Sequence, residues 1–485
     1  MAELISNNSS WTTDFGIRGF SAVCFPQEFG IIAVANMVIQ FSIIFTQVGI
    51  GPAIIQKKEL KKTDIQAGFH ISVILSIIFY FVVFFAAPSI ENFFEIDNIE
   101  KVIQFMSLSF IFLSLGIVAQ SLLERKFKFK ELFIVELYSY SIGFAIIGVI
   151  LGVLGYGVWA LAIAKVTQSA LRSILLLYFE RHTLSFKFHF EDVRFLLNFS
   201  GGVTLSRIFN YIALQSDKVI VGRILGATSL GLYERSHYIM SMSSTFVGKI
   251  VDKVMYPEMT KEQDNKIKLT SIYFFLLSIS HLVVLPLVCV LILLVPEVIR
   301  VLFGENWMGI STPLRIILFI TYLKISVRIC DMLIRAKGAV YKGAFRKGIF
   351  TTLVIIASLI GVNWGITGVA IGVVIANIFN YGLSLTLTKK LLEFKWIKFI
   401  GSSSRGILLS VLLVILNMPI LEFFRMIEMW AIFSIILLCF VDFIIFFILL
   451  INFPRLFGDF GNKARSLLKK LEFTDRLISM KGREN

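Results

Sequence analysis

Stretches of eighteen or more mostly apolar residues recur along almost the whole of this chain. Nothing constrains its fold more. Backbone inside hydrocarbon has no water to bond, so it must close its hydrogen bonds within helices or a closed barrel. Each run is long enough for one helical crossing. The chain is 57% apolar and 16% charged, against roughly 45–50% and about 25% in soluble domains, so little is left over for a soluble domain. Hydrophobic helices are expected near 31–55, 69–90, 102–123, 132–154, 157–179, 195–214, 232–255, 269–295, 313–335, 346–363, 366–388, 404–421 and 429–451.

The chain also repeats itself. Pro26-Gln27-Glu28-Phe29-Gly30 is echoed by Ala227-Thr228-Ser229-Leu230-Gly231, and Pro88-x-Ile90 by Pro296-x-Val298. Leu123-Glu124-Arg125 returns as Leu333-Ile334-Arg335, and Gly155-Tyr156-Gly157-Val158 as Gly365-Ile366-Thr367-Gly368-Val369. Four weak matches in register argue for two parallel halves related by an axis along the membrane normal, as in transporters whose substrate site lies between repeats. The repeat calls for one helix more, before Gly30. Only a weak, polar version stands there (Ile17 to Phe25), so that helix is either eroded or cut short. The expected fold is an all-α polytopic membrane protein of about fourteen helices. It comprises a six-helix half over 1–190, a second over 195–390, two helices over 400–452 and a basic tail over 453–485.

Lysine and arginine sort by side. Lys57, Lys58, Arg125, Lys126, Lys261, Lys266, Arg335, Lys337, Lys342, Arg346, Lys347, Lys389, Lys390 and the tail lie on one set of loops, with few basic residues on the other. The positive-inside rule makes the rich side cytoplasmic and leaves the C-terminus inside. The net charge of +15 is thus mostly an orientation signal, and no nucleic-acid motif accompanies it. In the tail, Leu467, Leu468, Leu471 and Phe473 among basic residues fit an amphipathic helix on an anionic leaflet or a solvated segment. The N-terminus lacks the apolar core of a cleavable signal peptide. The four cysteines lie far apart, without disulfide or metal spacing.

Some basic residues remain inside the apolar runs, where each costs roughly 2.5–3.5 kcal/mol at the bilayer centre. They gather on faces. Lys165, Gln168, Ser169 and Arg172 share one helical stripe, and Lys324, Arg328, Asp331 and Arg335 share another. Arg207 and Asp217 add polar groups at the start of the second half, and Glu136 lies near a helix end. Lys165, Arg172, Arg207, Lys324 and Arg328 are the candidates for a basic substrate cavity. Asp217, Asp331 and Glu136 are the candidates for gating or ion coupling. The plainer reading has Arg172 and Arg335 reaching the interface, Glu136 as an interfacial charge, and Asp331 pairing with Arg328 or Arg335 to hold the bundle. His70, His237 and His281 are more readily packing groups than proton relays. A basic cavity in an apolar bundle suits a large anionic substrate, because phosphate and carboxylate match arginine. No Walker motif, large external loop or nucleophile–base arrangement points to an enzyme.

Several motifs resemble Wzx-type flippases of the polysaccharide transporter family, which share the MOP superfamily with MATE drug exporters and lipid II flippases. They are Pro26-Gln27-Glu28-Phe29-Gly30, Arg125-x-Phe127-x-Phe129-Lys130 and Gly155-x-Gly157-Val158-Trp159. Asp217-x-x-Ile220-x-Gly222-Arg223-x-Leu225-Gly226, Leu230-Gly231-x-Tyr233 and Val301-Leu302-Phe303-Gly304-x-x-Trp307 complete the set. The resemblance covers about residues 20–390, and its departure is the first helix. It implies a MATE-like fold in the bacterial cytoplasmic membrane. The implied substrate is an undecaprenyl-pyrophosphate-linked oligosaccharide, moved by alternating access for lipopolysaccharide or exopolysaccharide synthesis. Membrane lipid and a polysaccharide polymerase are the implied partners, with no cofactor and no metal. An ion-coupled exporter of small cationic drugs is the alternative, although acidic cavity residues would suit it better. A glycan polymerase or an inactive scaffold stands further off.

Overall fold

The structure is a computed structural model. It describes residues 25–452 apart from 48–49, 57–59, 182–189 and 428, with side chains described except at 47, 52–53, 56, 190–207, 209–210, 213, 246–254, 256–257, 340–341 and 451. The expected first helix and the amphipathic tail lie outside the described residues. The helices are α1 (Pro26–Gln47), α2 (Ile50–Gln56), α3 (Lys62–Phe94), α4 (Ile99–Met106), α5 (Leu108–Arg125), α6 (Phe129–Val153) and α7 (Val158–Phe179). Then follow α8 (Phe190–Lys261), α9 (Lys266–Leu293), α10 (Val295–Leu302), α11 (Ser311–Ala336), α12 (Val340–Gly361), α13 (Gly365–Leu392), α14 (Trp396–Met426) and α15 (Ala431–Asn452).

Each apolar run expected from sequence has its helix. The runs 195–214 and 232–255 are the two arms of α8, which breaks at Gly226 (φ 79°). Among the described residues there is no strand, and nine stretches are long and apolar enough to cross a membrane. The chain is a multi-pass, all-helical membrane protein. The charged α11 falls outside those nine because it carries Arg315, Lys324, Arg328, Asp331 and Arg335. The repeated Gly-x-Gly motifs mark equivalent turns: Gly155 before α7 and Gly365 before α13 both have positive φ, at 79° and 68°, where a side chain would be strained.

Two compact units form. One takes in the chain to Arg235 with 302–309 and 354–369; the other takes in 236–301, 310–353 and the chain from 370.

In the first unit, small residues bring the helices together, as helix pairs in lipid require. Ser76 donates to the Ser114 hydroxyl at 2.9 Å and joins α3 to α5. Ser173 of α7 donates to the Phe112 carbonyl, beside Gly116. Gly143 lets the backbone of α6 lie against Gln168 of α7, within a π-helical stretch, Ser139–Ile146. The repeat meets itself at the start of α1. A Cβ on Gly30 would fall on the Ala227 carbonyl, and one on Gly231 would fall on the Pro26 carbonyl. Pro26 and Ala227 are repeat mates, as are Gly30 and Gly231, so the contact is reciprocal.

In the second unit, α9, α11 and α13 share an apolar cluster around Tyr273, Leu277, Tyr322, Cys330, Met332 and Leu385. The Tyr273 hydroxyl is 3.1 Å from Thr388 Oγ1, and Ser280 and Ser326 bond at 2.8 Å. Gly406 of α14 sits on the His281 backbone. Asn417 donates to Asp442 Oδ1 at 2.6 Å, tying α14 to α15. Arg425 clasps Glu297 of α10 through Nε at 2.8 Å and Nη2 at 3.2 Å.

The glycine crossing yields a test. Gly231→Ala puts a methyl into the Pro26 carbonyl, and overpacking of this kind costs about 1–3 kcal/mol. Gly348→Ala, with nothing within 4 Å, gains helix propensity instead. Thermal unfolding of the purified protein in detergent should show Gly231→Ala well below wild type and Gly348→Ala at or above it.

Candidate substrate site

The basic stripe on α7 is set by the helices that flank it. Gly116 and Gly143 allow α5 and α6 to close on α7, so Gln120, Glu136, Lys165, Gln168 and Arg172 become neighbours. Arg172 Nη2 lies 3.4 Å from Glu136 Oε2 and donates to Gln120 Oε1 at 3.4 Å. Gln120 in turn donates to Glu124 at 2.8 Å. The Arg172 and Glu136 side chains are 32% and 39% exposed, so the pair is only half-buried. Lys165 lies two helical turns from Arg172, about 10 Å along the axis. Its ammonium donates to Gln168 Oε1 at 3.3 Å and stands 5.9 Å from the Phe144 ring centre. Its nearest groups are thus an amide and a ring face, while the nearby Glu136 is engaged by Arg172.

The second stripe is half-buried on α11. Lys324 and Arg328 stand one turn apart there, in the unit that does not contain Lys165 and Arg172. Asp331 turns away from its expected partners. Its Oδ1 accepts from Arg346 Nη2 of α12 at 2.6 Å, and Lys347 stands 3.9 Å from Oδ2. Arg335 Nε donates to the Asp331 carbonyl at 3.4 Å. Arg346 also donates to Ser384 at 2.6 Å and to Asn380, both on α13. A helix neighbour at i+4 points along the same face, so a carboxylate between two helices is better reached from the next helix than from its own.

Asp217 is buried, with both oxygens engaged. Oδ2 accepts from the Tyr233 hydroxyl at 3.0 Å and Oδ1 from the Lys218 backbone at 2.9 Å. Asp217 and Tyr233 flank the break at Gly226, so the carboxylate clasps the two arms of α8. The side chain of Arg207 lies outside the described residues. His281 is packed between Tyr322 and Phe399, with Nδ1 3.4 Å from Ser402 Oγ. Sequence reasoning missed Arg346, which was counted among the loop cations. The visible signal was its pairing with the polar Asn380 and Ser384, one turn apart in an otherwise apolar helix. It also missed how Arg235 is held: its guanidinium lies 3.9 Å over the Phe29 ring, which packs edge-on to Trp307.

Comparison with known proteins follows from this geometry. Residues 24–312 match the family described as "Polysaccharide biosynthesis protein". The chain is 25% identical to the lipopolysaccharide biosynthesis protein WzxC of Escherichia coli, over 79% of this chain and 77% of that protein. It is 27% identical to the succinoglycan biosynthesis transport protein ExoT of Rhizobium meliloti, over 75% of this chain and 80% of that protein. Among solved structures it resembles the lipid II flippase MurJ in an inward closed conformation. The TM-score is 0.72 at 16% identity, covering 92% of this chain and 97% of that one. It also resembles an inward-facing multidrug resistance MATE family transporter of the MOP superfamily, with a TM-score of 0.55 at 16% identity over 81% and 95%. At these identities the structures establish the fold.

The Arg346–Asp331 pair provides a second test. Breaking a buried pair strands a charge and costs about 3–5 kcal/mol. Arg346→Met should therefore lower the unfolding temperature in detergent strongly. Arg346→Met with Asp331→Asn should recover much of the loss, giving a coupling energy in a double-mutant cycle.

Proposed function

The chain belongs to the polysaccharide biosynthesis protein family, and from that membership we propose that it is a flippase for lipid-linked oligosaccharide repeat units. It is a carrier and not an enzyme. The observation that carries this reading is the family match over residues 24–312, joined by relatives named for lipopolysaccharide biosynthesis and succinoglycan transport. The fold shared with a lipid II flippase supports it. The small-cation exporter reading loses ground, because the residues on the α7 stripe are basic and the acidic Glu136 beside them is already paired.

The substrate's invariant part is taken to be an undecaprenyl pyrophosphate, a dianion that must be held while the sugar crosses. Lys165 and Arg172 supply two cations on one face, and Lys324 and Arg328 supply two more. Charge-assisted contacts of this kind contribute about 1.5–3 kcal/mol each, enough to select a pyrophosphate without trapping it. Transport proceeds by alternating access, while the polyprenyl tail stays in lipid. In this reading the lysine-rich loops and the C-terminus face the bacterial cytoplasm, which the positive-inside rule supports, and a polymerase consumes the product outside. Asp217, by contrast, acts through the α8 clasp; if it gates, it does so by releasing Tyr233.

The test is complementation. A bacterium deleted for its own broad-specificity polysaccharide flippase should regain surface polysaccharide when it expresses this chain. Lys165→Ala, Arg172→Ala, Lys324→Ala and Arg328→Ala, at equal membrane levels by blot, should each lower surface polysaccharide about tenfold, the effect of about 1.4 kcal/mol of lost binding. Restoration undisturbed by all four substitutions discards the basic site and leaves the transport reading intact.

A further inference from the structure

The basic ends of α12 and α13 form a feature that oligosaccharide transport does not use. A cavity of about 590 Å³ opens between them. Its walls are two matched stripes, each at i, i+4, i+7 spacing. Lys342, Arg346 and Ile349 come from α12, and Leu383, Leu387 and Lys390 come from α13. The helices follow one another across a short turn and run antiparallel, so Lys342 and Lys390 stand at the basic end of the cavity while Ile349 and Leu383 lie about 10 Å further along the helices. No carboxylate lines the cavity. Phe345, on its rim, is 75% exposed.

Arg346 shows that the site is built. Its side chain is held from three directions, by Asp331, Ser384 and Asn380. The residue is only 4% exposed, and its Nε–H has no acceptor among the described residues. A buried donor without an acceptor is costly, and this one sits in the wall of a cavity whose basic end carries two further cations. The missing ligand must bring anionic oxygens to the basic end and apolar surface to the other. A soluble anion supplies only the first and leaves the aliphatic walls in water. A lipid supplies both, and basic pockets between helix ends on the cytoplasmic side of a membrane suit acidic headgroups.

We propose that this cavity binds an acidic phospholipid of the cytoplasmic leaflet. Its phosphate lies among Lys342, Arg346 and Lys390, and an acyl chain runs along Ile349, Leu383 and Leu387. The leaflet rests on the orientation given under Proposed function; the binding does not. The bilayer offers acidic phospholipid in large excess over any carrier-linked substrate, so the resident lipid occupies the site.

The experiment is native mass spectrometry of the full chain in detergent, titrated with phosphatidylglycerol or phosphatidylcholine. Phosphatidylglycerol should be retained and phosphatidylcholine should not. Lys342→Gln/Lys390→Gln should weaken phosphatidylglycerol about tenfold. Thr386→Trp, which keeps every charge and fills the cavity, should weaken it comparably. Lys101→Gln/Arg300→Gln, which removes equal charge elsewhere, should leave it unchanged, and all variants should elute and unfold as wild type does. Equal retention in wild type and both cavity variants, or equal retention of the two lipids, overturns the proposal. Displacement by an equimolar prenyl pyrophosphate assigns the cavity to the carrier, and displacement by glycerol phosphate assigns it to a soluble anion. Either outcome also overturns it. Retention is measured without transport, so a chain that fails complementation but loses phosphatidylglycerol in the cavity variants refutes the flippase reading alone.

Discussion

The backbone polar groups that this chain carries into hydrocarbon must find their partners inside the protein, and much of the architecture follows from how partners are supplied to these and to the polar side chains. Backbone groups are closed within helices. Hydroxyls bond back to their own helix or across to a neighbour, as Ser76 does to Ser114 and Ser280 to Ser326. Charges are matched between helices: Arg346 with Asp331, Arg425 with Glu297, Arg172 with Glu136. Each pair fixes a helix against another where apolar packing alone would not, since lipid tails are as apolar as leucine. The pairs therefore specify which helices meet as well as neutralising charge.

The Gly30–Gly231 crossing adds symmetry to that scheme. Because Pro26 meets Gly231 and Ala227 meets Gly30, each copy of the repeated motif receives the other, the pattern of an isologous contact folded into one chain. Such a contact needs two glycines at once. A side chain on either would clash with the partner's carbonyl, so the motif's glycines serve approach rather than flexibility. The paired turns at Gly155 and Gly365 belong to the same repetition. The repeat is thus written in the backbone as well as in hydropathy.

Much of this was legible in sequence. Each expected apolar run has its helix, because length and hydropathy are local properties and the membrane enforces them, whereas the short α10 (Val295–Leu302) lay outside the runs. The stripe of Lys165, Gln168 and Arg172 was legible too, since helical spacing decides which residues share a face. Partnership was not. Asp331 appeared to face Arg328 or Arg335 on its own helix, and the structure gives it to Arg346, which sequence alone assigned to a loop. Asp217 was a candidate for gating or ion coupling, and its engagement by Tyr233 depends on how sharply α8 turns at Gly226. Periodicity reports faces within one helix; which faces meet is decided by small residues such as Gly116 and Gly143, whose role shows only once the helices are placed.

Exposure separates the pairs that hold the fold from those that can serve transport. Arg346 and Asp331, 5% and 21% exposed at 2.6 Å, are locked: a ligand would have to displace the Asp331 carboxylate to reach that guanidinium's Nη2. Arg172 and Glu136, 32% and 39% exposed at 3.4 Å, form a looser pair in a more polar setting, worth little by itself. In the proposed function a pyrophosphate would take Arg172 from Glu136 at small cost, and Glu136 would reclaim it when the substrate left. Lys165, bonded to an amide, presents its charge without having to break an ion pair with a carboxylate. A carrier must bind and then release, so a weakly held arginine beside such a lysine suits transport better than a stronger site would.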